Sequence, residues 1–520
     1  MTSRARLFVS LFAALAAVAP AAADPLHLAV RLAAQDGGGG GGAPPAPARP
    51  AMLADVAGPA TSIGLPELLA LAVRTAPTLA QARIDIEVAE ASILSTQAWA
   101  DWALQAQAAG STRVSGGAFS RADDVTLSAD LTRRISSGGT LSLHAETGYT
   151  RQDFLVMGIP GTTRNYDTGV SIGFTQPLMR GRGKAQLFAA ERAARTSRDA
   201  ADVATRAAAI ALVRDVVLSY LGLKAAEREL EISRASLDLA NERLKVTLAG
   251  IDKGGVAKAE TIPVEQAIAT REEAVLAGEL TILDQSLALR RQVGMPSAPG
   301  DMVLASTVDL AIPSKTWDQV ALVTAASTNS PELARLAALE AGATIEIEVT
   351  ENGLLPSLDL AASIGPSVIV TDPTGAFDTS TGVTAAVTLT YQQAIGKTAA
   401  RAEVRRSRAQ RESLRVNASD VKNQIVEAVA RAVAQIQVAE RRYAIAVRAV
   451  SLAEQNLAVE QARLGLGKSR NVDVLTRQDE LRAAQLRVAN AVIDWHRADA
   501  AIAALTGEIL PRYGISIDAK

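Results

Sequence analysis

The sequence predicts an α+β chain made of two tandem copies of one plan, a group of strands followed by a long helical hairpin. Three observations carry that prediction. Residues 183–294 align without a gap on residues 396–507 at a constant shift of 213. Gly183 falls on Gly396, Lys184 on Lys397, Ala226-Glu227-Arg228 on Ala439-Glu440-Arg441, Leu239-Ala240 on Leu452-Ala453, Leu244 on Leu457, Gly254 on Gly467 and Gly294 on Gly507. Duplication of this kind marks a repeated architecture. The stretch from Lys184 to about Gly250 has no helix-breaking punctuation, and at 1.5 Å per residue it would reach about 100 Å, longer than any ordinary domain. Finally, the residues ahead of that stretch lose helical periodicity and alternate apolar with polar.

Composition supports the helical part. Of 520 residues, 48% are apolar but only 3% aromatic, so alanine, leucine and valine carry the apolar content, as suits helices packed closely side by side. A net charge of −2 gives no reason to expect a nucleic-acid partner. The absence of cysteine excludes disulfides, thiolate metal sites, a cysteine nucleophile and an acylated N-terminal cysteine. His27, His144 and His496 are scattered without ligand spacing, so no metal and no cofactor are expected.

In chain order, Arg4 and Arg6 precede the apolar run Leu7 to Val18, and Ala21-Ala22-Ala23 offers a small-residue cleavage site. Residues 1–23 therefore read as a secretory signal peptide and the chain as exported. Residues 24–60 form a Gly/Pro-rich segment, with six glycines followed by Ala-Pro-Pro-Ala-Pro-Ala-Arg-Pro, which cannot bury enough apolar surface to fold. Residues 65–94 are helical in pattern and have a counterpart 254 residues on: Leu68, Ala72, Pro77 and Leu79 match Leu322, Ala326, Pro331 and Leu333. Ser330-Pro331-Glu332 has an N-cap, a proline at the first helical position and an acidic first turn, so a helix break is expected there.

The shifts of 254 and 213 differ by 41, so the first copy holds about that many extra residues between 109 and 183. Strands are expected there. Leu104, Ala106 and Ala108 alternate with Gln105 and Gln107; Val125, Leu127, Ala129 and Leu131 alternate with Thr126, Ser128 and Asp130; Leu141, Leu143 and Ala145 alternate with Ser142 and His144. Val170, Ile172 and Phe174 lead into Thr175-Gln176-Pro177-Leu178, and in the second copy Val383, Ala385, Val387, Leu389 and Tyr391 alternate with Thr384, Thr388 and Thr390. The oily face would be the core of a soluble sandwich or the lipid face of a transmembrane barrel; alternation alone leaves both open. The long helices keep coiled-coil spacing at Ile210, Val213, Val217 and Tyr220, turn at Gly254 or Gly467, and return through helices about half as long. Stacking a short helix of one half on a short helix of the other would fill the remaining length.

These residues resemble the TolC-like outer-membrane efflux family. The resemblance rests on Thr175-Gln176-Pro177-Leu178-Met179-Arg180-Gly181 at the strand-to-helix junction, on Gly467 followed six residues later by Asp473-Val474-Leu475, and on the tandem strand-and-hairpin repeats over about residues 60–510. It implies an α+β membrane protein: a homotrimeric transmembrane β-barrel continued by a long α-helical coiled-coil barrel, with a mixed equatorial domain. The implied organisation is a first repeat over 61–294 (strands within 102–178, long helix 184–250, return helix 257–294), an equatorial linker over 295–317, a second repeat over 318–507 (strands within 355–391, long helix 397–463, return helix 469–507) and a tail over 508–520. The implied activity is passive conduction from periplasm to exterior in a tripartite efflux pump or type I secretion system, without catalysis. Implied partners are outer-membrane lipid, a periplasmic adaptor (membrane fusion) protein and an inner-membrane transporter.

The resemblance places the barrel-to-helix junction at Gln176, Pro177, Gly183 and Gly396, the periplasmic tips at Gly254 and Gly467, and a candidate gate at Asp473, Arg470 and Glu260, the last being the repeat mate of Asp473. Departures touch the same places. Thr476 stands where the best-known member carries an acidic residue, Ser469 where a basic one is expected, although Arg470 follows it, and the second junction reads Tyr391-Gln392-Gln393-Ala394 instead of Gln-Pro. The extra 41 residues would add two strands to the barrel or project as a hairpin. The rival reading is an exported periplasmic coiled-coil adaptor, although such a protein has one helical hairpin and this sequence has two. A secreted hydrolase finds no support, because no paired-carboxylate, metal or Ser-His-Asp pattern stands out from ordinary helix surface.

Overall fold

The computed structural model describes residues 60–516 apart from 116–119, 157–158, 299, 301, 309, 314 and 373–377. The expected signal peptide and all but residue 60 of the Gly/Pro-rich segment lie outside the described residues, as do the last four residues of the tail. The elements run β1 (Thr61–Ile63), α1 (Leu65–Thr75), α2 (Pro77–Gln97), β2 (Ala103–Ser115), β3 (Ser120–Arg134), β4 (Thr140–Val156), β5 (Ile159–Pro177), α3 (Lys184–Leu187), α4 (Ala189–Asp252), α5 (Thr261–Val293), β6 (Leu304–Ser306), α6 (Gln319–Asn329), α7 (Pro331–Asn352), β7 (Ser357–Asp372), β8 (Asp378–Gln392), α8 (Thr398–Gly465), α9 (Asn471–Leu505) and α10 (Ile509–Arg512).

Six strands make one antiparallel sheet in the order β2-β3-β4-β5-β7-β8. The 41 extra residues are thereby accounted for inside the sheet: β3 and β4 lie between β2 and β5, paired on both sides. Alternation in each strand adds up across the register. Leu104, Leu131, Leu143, Ile172, Ile364 and Ala385 form one transverse row, while Gln105, Asp130, His144 and Ser171 share the opposite face.

The long helices span 64 residues in α4 and 68 in α8, or about 96 and 102 Å. The first differs from the expected single helix over 184–250. It is split, since Phe188 leaves helical geometry between α3 and α4 and its ring packs edge-on against Trp99 at 5.3 Å. The second is unbroken. Along α8 the buried residues Ile425, Ala432, Ala439, Ala446 and Ala453 recur every seven positions, the seam of a left-handed coiled coil. Alanine at most of these positions keeps the facing helix close.

The short helices stack differently from the expectation, each on a helix of its own half. Thr75, at the end of α1, donates its hydroxyl to the Val293 carbonyl at 2.7 Å, so α5 ends where α2 begins. In the same way Asn329, before α7, donates to the Thr506 carbonyl at 2.8 Å beyond the end of α9. Gly294 and Gly507 close α5 and α9 with φ of 80° and 74°, a left-handed cap that glycine adopts without penalty. At Gly294 a side chain would also meet backbone, because an added Cβ would stand 2.9 Å from the Thr75 carbonyl carbon.

The largest core lies at mid-height of the helices. Leu68, Leu69 and Ala72 of α1 pack with Val213, Val216, Tyr220 and Leu223 of α4, Leu289 and Val293 of α5, Leu304, Ile493 and Ile509. Parallel pairing of β1 with β6 ties residues 61–63 to 304–306. Tyr220 holds that pair, donating its hydroxyl to the Ile63 carbonyl at 3.0 Å and accepting from the Thr307 N–H at 3.0 Å. Residues 295–317 therefore carry a strand, and the tail carries α10, whose Arg512 pairs with Asp499 at 2.7 Å.

Candidate functional site: a two-faced sheet, its helical corners and the hairpin tips

Three places in the fold combine the residues singled out by sequence. The first is the sheet. Its apolar face is uncovered, with Leu104 at 72%, Val383 at 71% and Val387 at 77% exposure, although a soluble sandwich would bury such a face. The band runs from Phe174 to Tyr166 on β5 and from Tyr391 to Val383 on β8, and eight residue steps at a 40° tilt give a height of about 20 Å. Above it the same face turns charged, with Arg121 on Asp123 at 3.0 Å and Arg151 on Asp153 at 3.2 Å. On the opposite face His144 lies 2.6 Å from Asp130 and 3.3 Å from Glu146. Among the described residues no helix is long and apolar enough to cross a membrane.

The second place is the pair of corners between sheet and long helix. At the first, Gln176 and Pro177 end β5, and Gly181 and Gly183 take φ of 80° and 90°. The tight turn between β3 and β4 seats here. Ser137 donates its hydroxyl to the Gln176 Oε1 at 2.6 Å, the Gln176 amide donates to the Ser137 carbonyl at 3.2 Å, and the Gly183 N–H donates to that same carbonyl at 3.2 Å. Among the described residues no such turn seats at the second corner. There Gly396 takes φ of 93° and Lys397 follows in the left-handed region at 51°, which costs a residue with a Cβ about 1–2 kcal/mol.

The third place is the hairpin tips. Gly254 and Gly467 close the long helices with φ of 75° and 68°, and the Lys468 N–H returns to the Arg463 carbonyl at 2.9 Å, satisfying an end carbonyl of α8. Asp473 sits in the first turn of α9. Its carboxylate accepts from the Arg470 backbone N–H at 3.0 Å and the Ser469 hydroxyl at 3.3 Å. The Arg470 N–H above all holds its pKa below the usual carboxylate value; desolvation opposes it, and the Ser469 hydroxyl and the Arg470 and Arg463 charges add to the lowering. Arg470 points outward, its Nε 4.0 Å from the same carboxylate. Glu260 contributes its backbone, accepting from the Asn471 amide at 3.3 Å. The three candidate gate residues are thus neighbours, joined through Asn471.

Sequence reading missed the seam between the two hairpins. Asn471 is buried and accepts from Arg243 Nε at 2.7 Å, and burial pulls Arg243 below the usual arginine value. Farther along, the buried Arg271 donates to the Ser236 carbonyl at 2.9 Å, to Gln478 at 3.0 Å and to Asp479 at 2.9 Å, while Arg482 donates to Ser233 at 3.2 Å. A signal did exist in the duplication. Arg271 and Asn471 stand opposite Ala484 and Lys258 in the other copy, and such mismatches mark where the halves are not equivalent.

Known proteins fit this geometry. Residues 322–508 match the family described as outer membrane efflux protein, and no curated protein sequence matches. Among solved structures, the outer membrane protein VceC of Vibrio cholerae aligns at TM-score 0.59 and 16% identity over 85% of this chain and 96% of that one. The CusC channel aligns at TM-score 0.63 and 15% identity over 85% and 91%, and the MtrE outer membrane channel of Neisseria gonorrhoeae at 0.56 and 14% over 86% and 89%. At these identities the structures speak for fold alone, and the family match speaks for residues 322–508. The second repeat, over residues 322–508, thus matches the outer membrane efflux protein family, and the chain has the fold of the outer-membrane channels it aligns with.

Proposed function

We propose that this chain is an outer-membrane efflux channel working as a passive homotrimeric duct, served by an inner-membrane transporter through a periplasmic adaptor in a tripartite efflux pump or type I secretion system. The observation that carries this reading is the uncovered apolar face of a sheet whose other face is polar, the pattern of a wall with lipid on one side and water on the other. The helices support it. Val438, Ile445, Leu452 and Val459 of α8 repeat every seven residues and are 47–68% exposed, a second apolar seam left uncovered by the described residues. A neighbouring copy would cover it.

In this reading Gln105, Gln107, Thr384 and Thr388 line the lumen, the corners at Gln176, Pro177, Gly183 and Gly396 join barrel to tunnel, and the tips at Gly254 and Gly467 form the periplasmic entrance. Asp473, Arg470 and Glu260 would ring that entrance, three copies of each about the axis, with the carboxylates favouring cations. Because Asp473 also caps α9, the suitable probe is Asp473→Asn, which keeps an acceptor and removes the charge. Reversal potentials under a salt gradient should then shift toward weaker cation preference, whereas an unchanged selectivity would remove Asp473 from the ring. The function itself is tested in planar bilayers: membrane-extracted protein should form defined single channels, and a soluble periplasmic monomer without conductance would overturn the duct.

A further inference from the structure

The sheet has two free edges. Among the described residues β2 pairs only with β3 and β8 only with β7, leaving β2 over Ala103–Ser115 and β8 over Asp378–Gln392 with one unpaired side each. Both edges flank the uncovered apolar face, so in the reading above both lie in hydrocarbon. There every unpaired N–H and C=O costs several kcal/mol, and only a closed barrel spans. Six strands are too few to close on themselves, since about eight are needed before an interior can hold side chains. The occupant of each edge must therefore be another copy of this chain.

We infer that three copies close one 18-stranded barrel, β8 of each chain pairing with β2 of the next, and that the β3–β4 hairpin is part of its wall. This rests on the trimeric duct proposed above and specifies its size. Strand direction permits the closure. β2 starts at the helical end of the sheet and β8 finishes there, so neighbouring copies meet antiparallel, like every pair inside the sheet, and the strand total is even.

Three features make the hairpin wall and not appendage. It is paired along its length on both sides, from Ala103↔Thr132 to Ser115↔Ser120 with β2 and from Thr140↔Thr175 to Val156↔Ile159 with β5. Its alternation is in phase with its neighbours, as the row Leu104, Leu131, Leu143, Ile172 demonstrates. Its turn is fastened to the first corner through Ser137, Gln176 and Gly183, so tightly that a Cβ on Gly139 would stand 2.8 Å from Gln176 Oε1 and 3.0 Å from the Thr175 carbonyl oxygen. At about 4.8 Å between strands and a tilt of about 40°, 18 strands give a backbone diameter of roughly 36 Å, against roughly 24 Å for the 12 that would remain without the hairpin.

The absence of native cysteine makes site-directed cross-linking clean. Gln107→Cys with Ser128→Cys, partners in the register, should link within one chain when treated with a short bis-thiol reagent in outer membranes. Thr388→Cys combined in turn with Gln105→Cys, Gln107→Cys and Ala109→Cys should link chain to chain in at least one combination, and the ladder should end at three. A ladder ending at two, or none in any combination, overturns the closure. Gln107→Cys with Ser171→Cys should not link, since β3 and β4 separate them by about 14 Å; a link there would put the hairpin outside the wall. Conductance of the same membranes separates the two readings, because channels without the ladder sink the 18-stranded barrel alone, while loss of channels and of membrane residence sinks the duct.

Discussion

The two halves of this chain share one sequence plan and diverge where they meet a surface that is not their own. Positions 213 apart agree at the caps Gly294 and Gly507 and at the tips Gly254 and Gly467, all of which take positive φ. They disagree in the sheet, where the first half supplies four strands and the second two, at the corners, and along the seam where one hairpin leans on the other. Local geometry, repeated in both halves, keeps its residues; contacts between halves are made once and change them.

The sharpest break of this pattern is to exchange the seam residues. Ala484, the mate of Arg271, is 1% exposed, and Ala484→Arg would bury a guanidinium without the partners Arg271 has, costing roughly 3–5 kcal/mol. Removing the guanidinium by Arg271→Ala forfeits charge-assisted bonds while leaving Asp479 solvated, for about 2 kcal/mol. Denaturant unfolding of the extracted protein should rank the two in that order. Equal losses would mean that the halves are interchangeable at this level.

The caps come next, and here the halves should differ in degree. Gly294→Ala puts a methyl into the Thr75 backbone, whereas at Gly507 the nearest atom is the Asn329 Cβ at 3.1 Å, a tight contact that needs a shift of only a few tenths of an ångström. We expect a loss of about 2–3 kcal/mol for the first and about 1 kcal/mol for the second, read as thermal shifts of unequal size.

A third probe uses protons. Burial pushes His496 below the usual histidine value, with Asp499 and a backbone bond at Ala311 opposing and Arg512 reinforcing it. The folded chain thus prefers neutral imidazole, while the unfolded chain takes a proton near pH 6.5. Stability at mid-height should fall as pH drops below about 6.5 and level off below the depressed value. His496→Gln should flatten that slope, and an unaltered slope would assign it to another group. The smallest effect lies at the second corner, where Lys397→Gly should relieve its left-handed strain and gain up to about 1 kcal/mol.

Much of this could be read from the sequence, for reasons visible in particular residues. Alternation at Leu104 to Ala108 and at Val383 to Tyr391 exposed the strands because period two is a local property. The glycines at 254, 294, 467 and 507 exposed the turns because positive φ tolerates little else. Sheet order was not legible, since nothing in Ser120–Val156 states that it pairs with β2 and β5 at once. Nor was the stacking of α5 under α2, which depends on Thr75 reaching Val293 across 218 positions. At the candidate gate the sequence found Asp473 by its spacing from Gly467 but not Asn471, whose burial arises only when Arg243 and Glu260 arrive from the other hairpin.

On the proposed assembly this chain closes its sheet only with its copies, six strands at a time. Electron cryo-microscopy of the detergent-extracted protein, at a resolution that separates strands, measures it directly. Three chains around one barrel of 18 strands, with β3 and β4 in the wall, are expected. A 12-stranded barrel with that hairpin outside, or a monomer with its sheet buried against protein, would contradict that assembly.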